Sequence, residues 1–410
     1  MSLRSVVACC VFVLVAGSLL AFEAVGTVQK VDAEKGTVVI RVNGQDRTVK
    51  ADKGIKVLGK DGKELSDGLK SEELKEGAEA TFTVEPVNNE PVVRSIRLGK
   101  REVSNAKERS SVGLKPLTEM TAEDRYKGED GGLYGGGKNE PPEAHGKAAL
   151  AESARIVPLD EDGKPSADGK IVLMSLGMSN TAGVWVTFKE LADRDPQKSP
   201  RVVIVNGAVG GAGAQSWTKG PMSGPWQTFA QRIKEAKVSP KQVQVVWIKH
   251  ADPMPSPDEK PLKYARNLQA WLTTIVRTLK AEYPNVRIVF LSSRTYGGYN
   301  AAGLRLVNPE PFAYESAFSV RWLIQDQIKG AAGLNPDVSK GKVGAPLLLW
   351  GPYLWADGVT PRKADGLVWL RSDYSNDGVH ATGKGREKAA EQLLRFFRED
   401  AGAKTWFVMK

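Results

Sequence analysis

Thiols and imidazoles are nearly missing from this chain, whose 410 residues include two cysteines and three histidines. Both cysteines, Cys9 and Cys10, fall inside an apolar N-terminal run, so residues 11–410 hold no thiol. Disulfides, thiolate catalysis and cysteine-ligated metals are excluded for that span. Basic tracts are missing as well. The net charge is +10, but the 58 Lys and Arg residues are scattered among 48 Asp and Glu residues, and no basic run interleaves with aromatics. A nucleic-acid partner is therefore not expected; a cationic surface suits anionic cell-wall polymers or polysaccharides equally well. Nor does the composition indicate disorder: 41% of residues are hydrophobic, enough for a globular core.

The first residues, MSLRSVVACCVFVLVAGSLLAFEA, place Arg4 before an apolar run from Val6 to about Phe22, with small residues at Ala16, Gly17, Ser18 and Ala21. That layout predicts a secretory signal peptide over residues 1–22 and a secreted or periplasmic protein with no stable membrane span after cleavage. An uncleaved anchor is the alternative, since roughly 17–25 apolar residues span a bilayer.

Residues 23–100 alternate apolar and polar positions, with turn signals at Glu34-Lys35-Gly36 and Asn43-Gly44. The pattern predicts a small all-β barrel or sandwich of five or six strands, an accessory or binding module. Residues 101–169 are rich in Gly, Pro and charge and read as a linker wrapping the next domain, anchored by Tyr126, Leu133 and Tyr134. Within it, Asp160-Glu161-Asp162-Gly163 reads as a β-turn, because it lacks the alternating oxygen ligands and closing Glu of a calcium loop.

From residue 170 the pattern becomes α/β. Near-continuous apolar runs at 171–176, 201–207, 243–248, 286–292 and 345–350 alternate with helical stretches, as parallel strands covered on both faces require. They predict a doubly wound, flavodoxin-like, five-stranded parallel sheet in a domain spanning 170–410, with its site outside the carboxyl ends of the strands. The segments at those ends are LGMSNTAG, NGAVGGAGAQSW, KHADPMP and SSRTYGGY, and SNDGVHATG precedes the last helix. The Gly207–Gly213 loop is not G-x-G-x-x-G and follows the second strand of the unit, which argues against a dinucleotide. Its glycines either allow tight packing or free backbone N–H groups to face an oxyanion. Ser179 reads alone as a helix cap, but Asp377-x-x-His380 supplies the base and carboxylate that a serine nucleophile needs.

Taken together, Gly177-x-Ser179, Asn206-Gly207…Gly211 and Asp377-x-x-His380 resemble the SGNH (GDSL-like) hydrolases over residues 170 to about 400. The resemblance implies Ser179 as nucleophile, His380 as general base, Asp377 as its orienting acid, and the N–H groups of Ser179 and Gly211 as the oxyanion hole. It further implies hydrolysis of acyl esters, including deacetylation of carbohydrates, with an acylated small molecule or polysaccharide as substrate and no metal or cofactor. Two positions depart from the family pattern: Met178 replaces an Asp, and Ala251 stands where an Asn side chain donates to the oxyanion. Lys249 and His250 are the candidate substitutes. Asn180, Asn206, His250, Asp252, Arg294 and Tyr353 are expected to contact substrate, with Tyr314, Glu315 and Trp350 shaping the pocket. Two other readings stay open: a non-catalytic envelope-binding or polysaccharide-binding protein on a degenerate scaffold, and an acyltransferase using the same triad.

Overall fold

Alternating hydrophobicity closes the N-terminal segment into a barrel. In the computed structural model, which describes residues 22–42, 45–87, 90–99, 108–253, 255, 260, 262–300 and 308–409, the chain divides into units at Ser104/Asn105. The expected signal peptide, all but Phe22, and the Asn43-Gly44 turn lie outside the described residues. Five strands, β1 (Phe22–Asp32), β2 (Thr37–Val42), β3 (Gln45–Leu58), β4 (Glu79–Val87) and β5 (Glu90–Leu98), close in the order β1-β2-β3-β5-β4. The pairs are antiparallel except β3 with β5. Inward positions bury Val28, Val38, Ile40, Phe82 and Ile96, so the period-two pattern provides a continuous core with no sheet edge left open.

The second unit is α/β. Residues 108–142 form turns and isolated bridges. The segment read as a linker then forms a helix, α1 (Glu143–Ala154). The acidic Asp160–Gly163 piece is a turn: Gly163 N–H donates to the Asp160 carbonyl at 3.0 Å and Lys164 N–H to Asp160 Oδ1 at 2.8 Å.

There follow β6 (Ile171–Gly177), α2 (Ser179–Arg194), β7 (Val202–Asn206), α3 (Gly224–Glu235), β8 (Val243–Lys249), α4 (Lys263–Glu282), β9 (Ile288–Ser292), α5 (Phe312–Ile328), β10 (Leu347–Trp350), α6 (Gly383–Glu399) and α7 (Lys404–Phe407). The five strands are parallel, in the order β10-β9-β8-β6-β7. Strands β6, β8, β9 and β10 are buried along their whole length, as strands covered on both faces must be. Helix α2 packs on α6, and α4 on α5.

Counted within the sheet, the strand order is 2-1-3-4-5. The chain leaves β6 to one side for β7 and then returns across it to β8, so the direction of winding reverses between β6 and β8. A crevice opens at such a reversal, outside the carboxyl ends of the two strands. Ser179 lies just beyond β6, and Lys249 closes β8.

Candidate active site

The turn from β6 into α2 is tight because Gly177 lacks a side chain: a Cβ there would lie 2.3 Å from the Lys249 carbonyl and 2.4 Å from Thr181 Oγ1. Ser179 is thereby the first residue of α2 and not its cap; Met178 holds the cap position and supplies no side-chain acceptor. The leading N–H groups of a 16-residue helix therefore face the crevice with the positive end of its dipole.

His380 and Asp377 reach Ser179 from the loop before α6. Ser179 Oγ lies 2.8 Å from His380 Nε2, and His380 Nδ1 lies 2.5 Å from Asp377 Oδ2. The other carboxylate oxygen accepts from the N–H groups of Val379 at 2.8 Å and His380 at 2.9 Å, with Ser375 Oγ 3.1 Å away. Partial burial opposes the charge on Asp377, but the hydrogen bonds from His380 and the loop backbone outweigh it and bring the carboxyl down to about 2. The imidazole itself is half exposed, open to a ligand from the solvent side.

Glycine is required in this loop too. Gly378 has φ +66°, and a Cβ there would lie 1.7 Å from the Tyr299 carbonyl. Arg371 braces the same loop, donating through Nη1 to the carbonyls of Tyr374 and Ser375, each at 2.9 Å, and through Nη2 to that of Asn376 at 3.1 Å.

The Gly207–Gly213 loop passes alongside Ser179. Val209 N–H donates to the Gly177 carbonyl at 2.9 Å, and a Cβ on Gly210 would sit 3.9 Å from Ser179 Cβ. Gly210 and Gly211 are exposed, and among the described residues the Gly211 N–H has no acceptor. Together with the uncapped N–H of Ser179, it provides two backbone donors beside the nucleophile.

Several expected substrate contacts are spent elsewhere. Asn180 is buried and binds the His380 loop, donating to the Val379 carbonyl at 2.8 Å and accepting from Ala381 N–H at 3.1 Å. Asn206 accepts from Ser175 Oγ at 3.0 Å and Ala208 N–H at 3.2 Å, and donates to the Ala182 carbonyl at 3.2 Å. Both amides hold neighbouring loops. Tyr353 is buried, its hydroxyl accepting from Leu117 N–H at 3.1 Å. Glu315 accepts from the Tyr126 hydroxyl at 2.7 Å and from Lys127 Nζ at 2.6 Å, Tyr314 donates to the Lys115 carbonyl at 2.9 Å, and Trp350 Nε1 donates to the Leu133 carbonyl at 2.8 Å. The residues expected to shape a pocket instead hold the 108–138 segment on the domain, because the polar tip of each is satisfied there.

At the end of β8, Lys249 and His250 are buried and not solvated. Lys249 Nζ and His250 Nε2 meet no hydrogen-bond partner among the described residues. Burial, reinforced by Arg294, holds the lysine well below its ordinary range. Burial also takes the imidazole of His250 down to about 3. His250 Nδ1 accepts from Ala251 N–H at 2.9 Å, and the Ala251 carbonyl accepts from Ala214 N–H at 3.0 Å, which joins this strand end to the Gly-rich loop. Arg294 is buried beyond β9, and among the described residues its Nε and Nη1 meet no hydrogen-bond partner. The Asp252 carbonyl accepts from Asn308 Nδ2. Among the described residues there is no cluster of His, Cys, Asp and Glu able to hold a metal ion, and no helix is long and apolar enough to cross a membrane.

No family model matches the chain, and no curated protein matches it. Similar solved structures include the periplasmic domain of a lipopolysaccharide acetyltransferase from Salmonella ser. Paratyphi A, 14% identical over 62% of this chain and 96% of that one, with a TM-score of 0.31. Another is an alpha/beta hydrolase enzyme from the metagenome of Lake Arreo, Spain, 13% identical over 57% and 95%, with a TM-score of 0.32. Over 20% of this chain, apo-CusF from Escherichia coli is 15% identical across 88% of its own length, with a TM-score of 0.15. Similarity at this level says nothing of this chain's chemistry, which rests on its own side chains.

Proposed function

We propose that this chain is an exported serine ester hydrolase of the SGNH type, acting on acylated small molecules or polysaccharides. The observation that carries the reading is the continuous relay from Asp377 through His380 to Ser179, with contacts of 2.5 and 2.8 Å. The 2-1-3-4-5 strand order is the flavodoxin-like one, and it supports the same reading. Export rests on the N-terminal sequence alone. The barrel is taken as an accessory unit.

In the reaction, Ser179 Oγ attacks the acyl carbonyl while His380 Nε2 takes the hydroxyl proton. Asp377 holds the ring in the tautomer that leaves Nε2 free and stabilises the imidazolium that forms. The carbonyl oxygen becomes an oxyanion facing the N–H groups of Ser179 and Gly211. Collapse of the intermediate expels the alcohol, which takes the proton from His380 and leaves an acyl-serine. Water then attacks that ester with His380 again as base, and the carboxylic acid departs. With Ala251 at the third donor position, one side-chain donor is missing, a loss of about 10²–10³ in rate.

A purely binding role would be supported by Ser179 lying beyond reach of His380, and the 2.8 Å contact speaks against it. The test is labelling with a fluorophosphonate and location of the adduct by mass spectrometry. An adduct on Ser179 that disappears in His380→Ala is the expected result. A folded protein that takes no label anywhere overturns the reading.

A further inference from the structure

The loop that carries the base is folded on itself. Ser375 donates to the His380 carbonyl through both its N–H and its Oγ, each at 2.7 Å, and Gly378 N–H donates to the Ser375 carbonyl at 2.9 Å. This closure sorts the polar groups of the backbone. The N–H groups of Val379 and His380 converge on the Asp377 carboxylate, whereas the carbonyls of Tyr374, Ser375 and Asn376 converge on the side chain of Arg371.

Arg371 opens the short 3-10 turn, Arg371–Asp373, that leads into this loop. Its Nη1 serves two of the carbonyls at 2.9 Å and its Nη2 the third at 3.1 Å. Among the described residues no carboxylate lies within ion-pair distance of the guanidinium, so its charge is met by carbonyl dipoles. Charge-assisted bonds of this kind are about twice as strong as neutral ones. The guanidinium also stays protonated and holds its donors in a rigid planar fork, which fits successive carbonyls better than a point-like ammonium does. Arg371 is in turn fixed from outside the loop, because its N–H donates to the Glu108 carbonyl and Ser372 Oγ to Glu108 Oε1, both at 3.0 Å.

The third carbonyl belongs to the residue before Asp377. A peptide unit is planar, so fixing the Asn376 carbonyl fixes the plane that ends at the Asp377 Cα. Downstream, Asn180 grips Val379 and Ala381. We infer that Arg371 is a positioning residue for the base: its grip on residues 374–376 sets the direction from which Asp377 meets His380, and through His380 the reach to Ser179. The effect on rate rests on the hydrolase reading above, whereas the grip itself rests on the three hydrogen bonds. A displacement of about 1 Å at a reacting centre costs on the order of 10² in rate.

Rate and geometry are tested separately, both in the full chain. The rate at which a fluorophosphonate labels Ser179 should fall about 10²-fold in Arg371→Ala, with Arg371→Lys between the two. Added ethylguanidinium should restore part of the rate in Arg371→Ala and leave the native rate unchanged, which a general loss of stability would not show. In the proton NMR spectrum, the downfield imidazole N–H resonance that His380→Ala removes should be lost in Arg371→Ala and return with ethylguanidinium. A native labelling rate in folded Arg371→Ala, or an unchanged resonance, overturns the inference. So does a loss of rate that neither Arg371→Lys nor ethylguanidinium lessens. If Arg371→Ala does not fold, Arg371→Lys decides: a native rate together with a native resonance overturns the grip. If the native protein takes no label, the hydrolase reading falls and the resonance alone judges the grip, its loss in Arg371→Ala upholding it and its persistence overturning it.

Discussion

The side-chain amide of Asn180 donates to the Val379 carbonyl at 2.8 Å, which ties the residue after the nucleophile to the residue before the base. Its carbonyl oxygen takes the N–H of Ala381, so one side chain grips both flanks of His380. Asn180→Ala leaves Ser179, His380 and Asp377 in place but frees the loop. A displacement of about 1 Å at a reacting centre costs on the order of 10² in rate. We expect kcat to fall by about that factor with KM nearly unchanged and with the same pH profile, since no titrating group is removed. A wild-type kcat in Asn180→Ala would remove this positioning role.

Asp377 should affect both rate and acid stability. Asp377→Asn presents the wrong partner to His380 Nδ1 and should lower kcat by about 10⁴. The folded carboxyl, at about 2, lies below its ordinary 3.8. Its contribution is therefore fully present above pH 4 and is lost as pH falls toward 2. The size is on the order of 2 kcal/mol. Urea titrations between pH 2 and 5 should show this acid limb in the native protein and a shallower one in Asp377→Asn.

Glu310 has the opposite sign. Burial, against three N–H donors, raises its carboxyl from 4.5 to about 7. The protonated form is then favoured in the folded state, so its contribution is complete below pH 4.5 and is lost as pH rises through 7. The change is on the order of 3 kcal/mol. Glu310→Gln keeps the shape without the titration and should flatten the decline in stability between pH 5 and 8, read by urea unfolding at each pH.

Glu315 should decide how firmly the 108–138 segment is held. It is buried, and it accepts from Tyr126 and Lys127. Breaking a buried ionic contact by removing one partner costs about 3–5 kcal/mol. Here Lys127 can turn to solvent, so the lower end of that range is expected for Glu315→Ala. Limited proteolysis should cut near residues 125–138 in the variant before it cuts the native chain; identical digestion patterns would contradict this.

The five parallel strands were legible because burial on both faces leaves unbroken apolar runs, and IVLMSLG and VQVVWIK are buried at every position. The contacts among Ser179, His380 and Asp377 were legible because Asp377 and His380 lie three residues apart and need only one loop to bring them together. Helix α1 was not: its buried residues are His145, Ala149 and Ser153, too few and too polar to mark an apolar stripe. The pocket aromatics were misassigned for another reason. Tyr126 meets Glu315, and Leu117 meets Tyr353, across nearly 190 and 240 residues, and no local pattern encodes such pairings. Lys249 was hidden most thoroughly, since a lysine at a strand end ordinarily reaches water and this one does not.

The order in which the chain is made has a consequence for the relay. Ser179 and its backbone donors emerge about 200 residues before Asp377 and His380, which arrive only with the loop that leads into α6. Under the proposed mechanism, a growing chain carries its nucleophile without a base for about half of its synthesis. Under that mechanism the hydroxyl gains its base only when the loop before α6 is in place and α6 packs on α2, so the chemistry is withheld until the domain is complete.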